Sequence, residues 1–178
     1  MTFDSLNYDG TATAESDGFA LSVKVEPDSD GGLPWENSDG HGPVSDWTRR
    51  DKRAGELILS DDRGSKRYYD YAEACRIARR DGWNAAPYSD SETAGQRAAK
   101  AAMADYNYLK SWCDDRWHYV GVIVTASKDG IELGRASVWG IESEAEAHLL
   151  ETANELAPEA LTEARATLAK LCDCEVSA

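Results

Sequence analysis

Residues 19–25 alternate between large apolar and polar or small side chains. This pattern predicts a half-buried strand, and Pro27 predicts its end. Residues 55–60 and 66–69 have the composition of two shorter strands, with an Asp-Asp-Arg-Gly turn between them. Residues 28–44 are rich in Gly and Pro, and they predict a long irregular loop.

Two helices are predicted to follow. Asp70 can cap the first helix in a capping-box arrangement with Glu73, and Gly82 supplies its stop signal. The second helix is predicted over about residues 92–112, where several alanines favour helix strongly. The inner face of the first helix carries small side chains, so we expect it to pack closely on a sheet.

A hairpin is the clearest prediction in the second half of the chain. In residues 117–126 apolar side chains occur at both odd and even positions, which is typical of a central strand covered on both faces. Asp129 and Gly130 form a two-residue hairpin signal, and residues 131–139 are predicted to return antiparallel.

The last helix is predicted to open with a capping box between Ser143 and Glu146. Pro158 is expected to kink this helix or to start a fresh one that runs to about Leu171. The sequence thus predicts an α+β fold, with a small, mainly antiparallel sheet packed by three to four helices. The predicted organisation is a disordered acidic segment at 1–17, a single domain at 18–171 and a frayed tail at 172–178.

The charge balance limits the possible functions. The chain has 33 Asp and Glu against 19 Lys and Arg, a net charge of -14, so direct binding to a nucleic-acid backbone is disfavoured. The two ends are acidic and the middle is basic, with the run Arg49-Arg50-Asp51-Lys52-Arg53, which we interpret as a salt-bridged surface. No apolar stretch is long enough to cross a bilayer and no signal-peptide pattern is present, so we expect a cytosolic protein.

The cysteines do not form a recognisable metal motif. Cys75, Cys113, Cys172 and Cys174 are too irregularly spaced for a disulfide scaffold, and no second pair completes a zinc-finger spacing with the last two. We therefore expect no cofactor and no metal, and the sequence leaves open whether Cys172 and Cys174 bind one.

Catalytic motifs are scarce. The loop Asp39-Gly-His41-Gly is the best enzymatic candidate, because Asp39 could orient His41 for acid–base work, although a tight turn uses the same residues. No Walker motif, dinucleotide fingerprint or nucleophile elbow is present, so an enzyme is the less favoured class. Trp35 is a third kind of candidate, an exposed aromatic residue of a protein-interaction module.

A series of glutamates near the C-terminus suggests a binding surface instead. Residues four apart on a helix are separated by about 6 Å along its axis, which is of the order of the spacing of successive phosphates on a nucleic-acid strand. Such a stripe could occupy a basic DNA-binding groove, although an ordinary solvated helix face has the same pattern. The candidate partner-binding residues are Glu142, Glu144, Glu146, Glu151, Glu155 and Glu159.

Several segments together resemble a family of small accessory proteins of uncharacterised function encoded by bacteriophages and prophages. The resemblance covers about residues 33–161 and offers no catalytic residues to carry over. The segments that carry it are Trp35-Glu36, DGHGPVSDW (39–47), KRAGE (52–56), RYYDYAEACRIARRDGWNAAPY (67–88), WCDDRWHYVGVIV (112–124) and WGIESEAEAHLLETANELAPEAL (139–161).

The resemblance implies a phage protein made in the bacterial host cytoplasm. By analogy with small acidic phage proteins, the leading hypothesis is a non-enzymatic inhibitor of a host defence system, of the anti-CRISPR or antirestriction type. It would bind a host nucleic-acid-binding protein through a DNA-mimicking acidic surface. The alternatives are a metal-dependent or acid–base enzyme centred on Asp39 and His41, and an interaction module that uses exposed aromatics. The oligomeric state and the identity of the partner stay open.

Overall fold

The structure is a computed structural model. It describes residues 3–37, 40–84, 89, 91–144 and 146–175, with side chains described up to residue 172. Within these residues the elements in chain order are β1 (Thr11–Ser16), β2 (Phe19–Pro27), α1 (Pro34–Asn37), β3 (Glu56–Asp62), β4 (Ser65–Asp70), α2 (Tyr71–Asp81), α3 (Ala94–Cys113), β5 (Tyr119–Lys128), β6 (Ile131–Glu142) and α4 (Glu146–Glu175).

The chain divides into two compact units. Unit 1 comprises residues 1–31 and 117–178, and unit 2 comprises residues 32–116. Each unit has its own hydrophobic core. The prediction of a single domain over residues 18–171 missed this division, because local patterns do not reveal that unit 2 is inserted between two neighbouring strands of unit 1.

Unit 1 is a four-stranded sheet in the order β1-β2-β5-β6, with every neighbouring pair antiparallel. The predicted alternation in β2 is confirmed, since Phe19, Leu21 and Val23 are buried and the residues between them are exposed. In β5 every residue from Val120 to Val124 is buried, as predicted for a central strand. The predicted hairpin is also present, with its turn at Asp129-Gly130, where both residues have positive φ.

The structure differs from the predicted disorder of residues 1–17. Residues 11–16 form β1, and the Phe3 side chain is buried in the core of unit 1. Asn154 of α4 fixes the Phe3 backbone at both ends, because its Oδ1 accepts from the amide at 2.6 Å and its Nδ2 donates to the carbonyl at 3.2 Å. The disorder prediction was wrong because short polar and alanine side chains gave little apolar signal.

Helix α4 covers one face of this sheet and packs on β6, β5 and β2. It is continuous through Pro158, so the predicted alternative of a fresh helix start was wrong, and the predicted kink stays a prediction. Apolar side chains are buried at helical spacing on both sides of the exposed proline, and this packing holds the helix across the missing backbone hydrogen bond. The buried residues are Leu149, Ala153, Leu156, Ala157, Ala160, Leu161 and Ala164.

The two ends of α4 also differ from the predictions. The Ser143 hydroxyl accepts a hydrogen bond from the His118 amide at 3.0 Å, so it ties the start of β5 to the end of β6 instead of completing the predicted capping box. At the other end, residues 172–175 continue the helix where a frayed tail was predicted, and residues 176–178 lie outside the described part.

Unit 2 contains the β3–β4 hairpin and two packed helices, α2 and α3. The predicted limits of α2 are confirmed, since Asp70 accepts a hydrogen bond from the Glu73 amide and Gly82 ends the helix in a left-handed conformation. Helix α3 begins after a capping box between Thr93 and Gln96. The predicted loop at 28–44 contains one short helix, α1.

The predicted α+β class is confirmed, with antiparallel sheets of four and two strands and four helices in the described chain. None of these helices combines the length and the apolar character that crossing a bilayer requires.

Candidate functional site

The six glutamates predicted to bind a partner lie in unit 1 and are all exposed. We call them the acidic surface: Glu142, Glu144, Glu146, Glu151, Glu155 and Glu159. Glu151, Glu155 and Glu159 follow one another at four-residue intervals on the exposed surface of α4. The predicted stripe on a helix is therefore present in the geometry.

Few basic groups neutralise the acidic surface. The His148 Nδ1 atom lies 3.7 Å from a Glu151 oxygen, and both side chains are well exposed. Within the described part of the chain, no salt bridge joins Glu144, Glu146, Glu155 or Glu159 to a basic side chain. The negative charge of these residues is therefore directed to solvent.

A cavity of about 580 Å³ lies at the N-terminal end of α4 and includes Glu146 in its lining. Its apolar lining residues include Leu6, Val120 and Leu149, and the fully exposed Tyr8 stands at its edge. The cavity thus joins an exposed aromatic ring to the acidic surface.

Two further carboxylates, Asp9 and Glu26, line the same cavity. The Thr11 hydroxyl donates to Asp9 and lowers the pKa of that carboxyl group. The Lys24 ammonium, 2.5 Å from Glu26, lowers the pKa of Glu26. Both carboxyl groups therefore keep their negative charge below the pH at which ordinary side chains of these types become protonated.

The loop candidates of the sequence analysis lie in unit 2. Trp35 is partly buried, because its ring meets Trp112 edge to face at 5.6 Å and the Arg67 guanidinium lies 5.0 Å from its centre. The hypothesis of an exposed anchor at Trp35 was therefore wrong. Asp39 lies outside the described residues, so its predicted pairing with His41 stays a prediction.

His41 instead pairs with Asp105 of α3. The His41 Nδ1 atom is 2.5 Å from Asp105 Oδ1, and the side chains are 16% and 10% exposed. The imidazole also stacks on the Tyr108 ring, with ring centres 5.5 Å apart and planes 11° from parallel. These contacts fix both the position and the plane of the His41 ring.

Asp105 is itself held by two donors on its other oxygen. The Gly42 amide donates to Oδ2 at 2.8 Å, and the Tyr69 hydroxyl donates to it at 2.6 Å. Burial, followed by the contact with Asp105, raises the pKa of Tyr69 far above its usual range, so this phenol stays protonated and remains a donor. A Cβ atom at Gly42 would lie 2.5 Å from the Tyr69 oxygen, so only glycine allows this approach.

The pair opens on a cavity of about 450 Å³, which we call the His41 cleft. Its lining from α3 is Ala101, Ala104, Asp105 and Tyr108, which share a face because they lie three or four positions apart. Among the described residues, the rest of the lining is Gly40, His41, Trp83 and Asn84.

Sequence analysis missed Asp105. The pair is separated by 64 positions, so no local motif reports it. One signal was present: Asp105 falls on the same side of the predicted helix as Ala101, Ala102 and Leu109, and a carboxylate in such an apolar stripe requires partners.

Among the described residues, no three His, Cys, Asp or Glu side chains come together as metal ligands. Comparison of the chain with protein-family models, with curated proteins and with solved structures gives no match.

Proposed function

We propose that this protein acts without catalysis, by binding a basic, nucleic-acid-binding protein through the acidic surface of unit 1. The resemblance to phage-encoded accessory proteins extends the proposal to its setting. In that setting the partner is a defence protein or complex of the bacterial host, met in the host cytoplasm and blocked in the manner of an anti-CRISPR or antirestriction protein.

The observation that carries the proposal is the uneven division of charge. Unit 1 has 18 Asp and Glu against 5 Lys and Arg, whereas unit 2 has 15 against 14, so nets of -13 and -1 make up the whole-chain -14. A field of one sign on one unit attracts a basic groove and speeds association with it, and added salt weakens this attraction.

The geometry of α4 supports a DNA-like arrangement of this charge. Its exposed glutamates repeat every four residues, which places successive carboxylates about 6 Å apart along the helix axis. The cavity beside Glu146 and the exposed ring of Tyr8 add a place where an apolar or cationic side chain of the partner can be buried.

The test begins with a tagged pull-down from a nuclease-treated bacterial host lysate, eluted with increasing salt. The proposal expects a nucleic-acid-binding protein that salt releases and that duplex DNA displaces from the tagged protein. With that partner purified, the triple variant E151K/E155K/E159K should bind at least tenfold more weakly near 0.15 M salt.

The matched control is D46K/D51K/D62K, which makes the same charge change at three exposed positions of unit 2. Its affinity should remain within about threefold of the original protein. Equal losses in the two variants would show that only total charge matters, and an unchanged triple glutamate variant would exclude the acidic surface as the binding site.

A salt-resistant partner lost on Tyr8→Ala would favour the interaction module that uses exposed aromatics. This observation would move the binding site from the glutamates to the aromatic edge of the cavity.

A further inference from the structure

The His41 cleft has the features of a ligand site and lies outside the surface used in the proposed function. The His41 ring has two nitrogens, and one of them, Nδ1, lies 2.5 Å from Asp105 Oδ1. Because a carboxylate accepts hydrogen bonds, this contact places a proton on Nδ1 and leaves Nε2 with its lone pair in the neutral ring.

The orientation of Asp105 is fixed before any ligand binds. The Gly42 amide and the Tyr69 hydroxyl both donate to Oδ2, which leaves Oδ1 for His41. A base oriented by a carboxylate that is itself oriented by other groups is the arrangement by which proteins hold one histidine tautomer. Asp105 is thus a positioning residue, acting through His41.

The side chains that line the His41 cleft limit the kinds of molecule that can bind there. Ala101 and Ala104 leave room beside the imidazole, and Trp83 and Tyr108 add aromatic surface. No lysine or arginine is among the described lining residues, so apart from His41, whose ring already contacts the Asp105 carboxylate, these residues offer no cation to a phosphate or a carboxylate. A volume of about 450 Å³ lies within the usual range of small-molecule sites.

We propose that the His41 cleft binds a small, uncharged, flat ring that carries an N–H or O–H group. The ring packs against the aromatic lining and its donor bonds to Nε2 of His41. Nucleobase-like heterocycles and phenols share this chemistry, and the experiment distinguishes them.

The experiment follows ¹⁵N-labelled histidine by NMR in the full chain. The chain has 3 His, so His41→Gln assigns the signals of His41 directly. Before any ligand is added, and at a pH at which the imidazole is neutral, the spectrum should show the proton of His41 on Nδ1 and none on Nε2. The probes are uracil, phenol, uridine 5′-monophosphate and cyclohexanol.

The proposal expects uracil or phenol to shift the His41 Nε2 signal with saturation. Cyclohexanol, which is not flat, and the charged nucleotide should bind at least tenfold more weakly. Uracil alone would identify heterocycles as the ligands, and phenol alone would identify phenols. No shift with either ring at millimolar concentration, or tighter binding of the nucleotide, would overturn the proposal.

Two variants separate the ligand site from a purely structural contact. Asp105→Asn should change the His41 tautomer and reduce ring binding at least tenfold, with Asp62→Asn on the exposed hairpin as its control. Ala104→Leu narrows the cleft at an exposed helix position, so the fold and the tautomer should persist while binding falls at least tenfold. The control is Ala94→Leu, at an exposed position of the same helix outside the cleft. Binding that survives Ala104→Leu would place the ring elsewhere.

Discussion

The two units use their carboxylates in different ways. In unit 2 many of them are matched within the unit, as in Glu56 with Arg50, Asp105 with His41, and Asp81 with Arg80. In unit 1 most of the glutamates of α4 face solvent without a basic partner among the described residues. Charge thus supports internal structure in unit 2, whereas on α4 of unit 1 it faces solvent, where the proposed function places the partner.

The hydrophobic cores of the two units also differ, because the core of unit 2 depends more on polar contacts. Unit 1 is held by aliphatic side chains and by alanines that let α4 approach the sheet. Unit 2 has few aliphatic residues in its main core, which relies on the buried Tyr69 and on partly buried aromatic rings such as Trp35 and Tyr106. Because tyrosine hydroxyls require partners when buried, unit 2 depends more on polar networks than unit 1 does.

The largest effect on stability is expected where the alanines of α4 pack against the sheet of unit 1. A Cβ atom at Gly134 would overlap the carbonyl oxygen of Ala160 and the amide of Ala164 in α4. We expect Gly134→Val to lower the free energy of unfolding by about 3 kcal/mol or more, since backbone must move. Chemical denaturation measures this, and Gly95→Ala, where nothing lies within 4 Å of the new atom, should not destabilise.

The next effect concerns the ion pair of unit 2 between Arg50 and the buried Glu56. The two Glu56 oxygens accept from Arg50 at 2.7 and 2.6 Å, and the Arg53 amide donates at 2.8 Å. Glu56→Gln should cost about 1–3 kcal/mol of stability at pH 7, because charge-assisted hydrogen bonds to a buried group are lost. Denaturation of the two proteins in parallel gives the difference.

This contribution should depend on pH in a defined direction. Arg50, through its hydrogen bonds, lowers the pKa of Glu56 below its ordinary value of 4.5. The stabilisation is therefore complete above about pH 4.5 and is lost as the pH falls through the lowered folded-state pKa. The gap between the original protein and Glu56→Gln should narrow from pH 7 to pH 3, and a constant gap would contradict this assignment.

A smaller effect is expected at the buried tyrosine. Tyr69→Phe removes the 2.6 Å hydrogen bond to Asp105 and keeps the ring. We expect a loss of about 1–2 kcal/mol, because Asp105 retains only the Gly42 amide on that oxygen. Thermal unfolding measures the loss, and a variant as stable as the original would mean that the hydroxyl does not support Asp105.

The smallest change in stability is expected at an exposed glutamate of α4, and it is the most direct test of the difference between the two units. Glu155→Gln makes the same chemical change as Glu56→Gln at an exposed position of α4, so stability should change by less than about 0.5 kcal/mol. Binding of a basic partner should nevertheless weaken. If Glu155→Gln destabilised the protein as much as Glu56→Gln, the distinction between structural and available charge would fail.

Local signals predicted the elements that local chemistry controls. Asp129-Gly130 and the Asp70 cap each act over a few residues, and both are observed as predicted. The same reasoning missed β1, although Asp17-Gly18 is the same Asp-Gly turn signal and has the same positive φ angles. The missing information was the burial of Ala12, whose small side chain barely registers in a hydropathy pattern.

Other features depend on contacts that no local pattern contains. The unbroken path of α4 through Pro158 follows from packing on the sheet, which overrides the local preference of proline. The pairing of His41 with Asp105 joins a loop to a helix far along the chain. The sequence therefore indicated His41 as a candidate but could not name the residue that orients it.

The hydrogen bonds between Phe3 and Asn154 can form only late in synthesis. They join residues 151 positions apart, so the N-terminal hairpin emerges from the ribosome long before its partners β5 and α4 exist. Unit 2 is one uninterrupted stretch of chain and becomes complete during that interval. While unit 2 folds, the β1–β2 hairpin of the nascent polypeptide therefore has an unpaired edge on β2. This hairpin is the segment that chaperones would have to protect from aggregation.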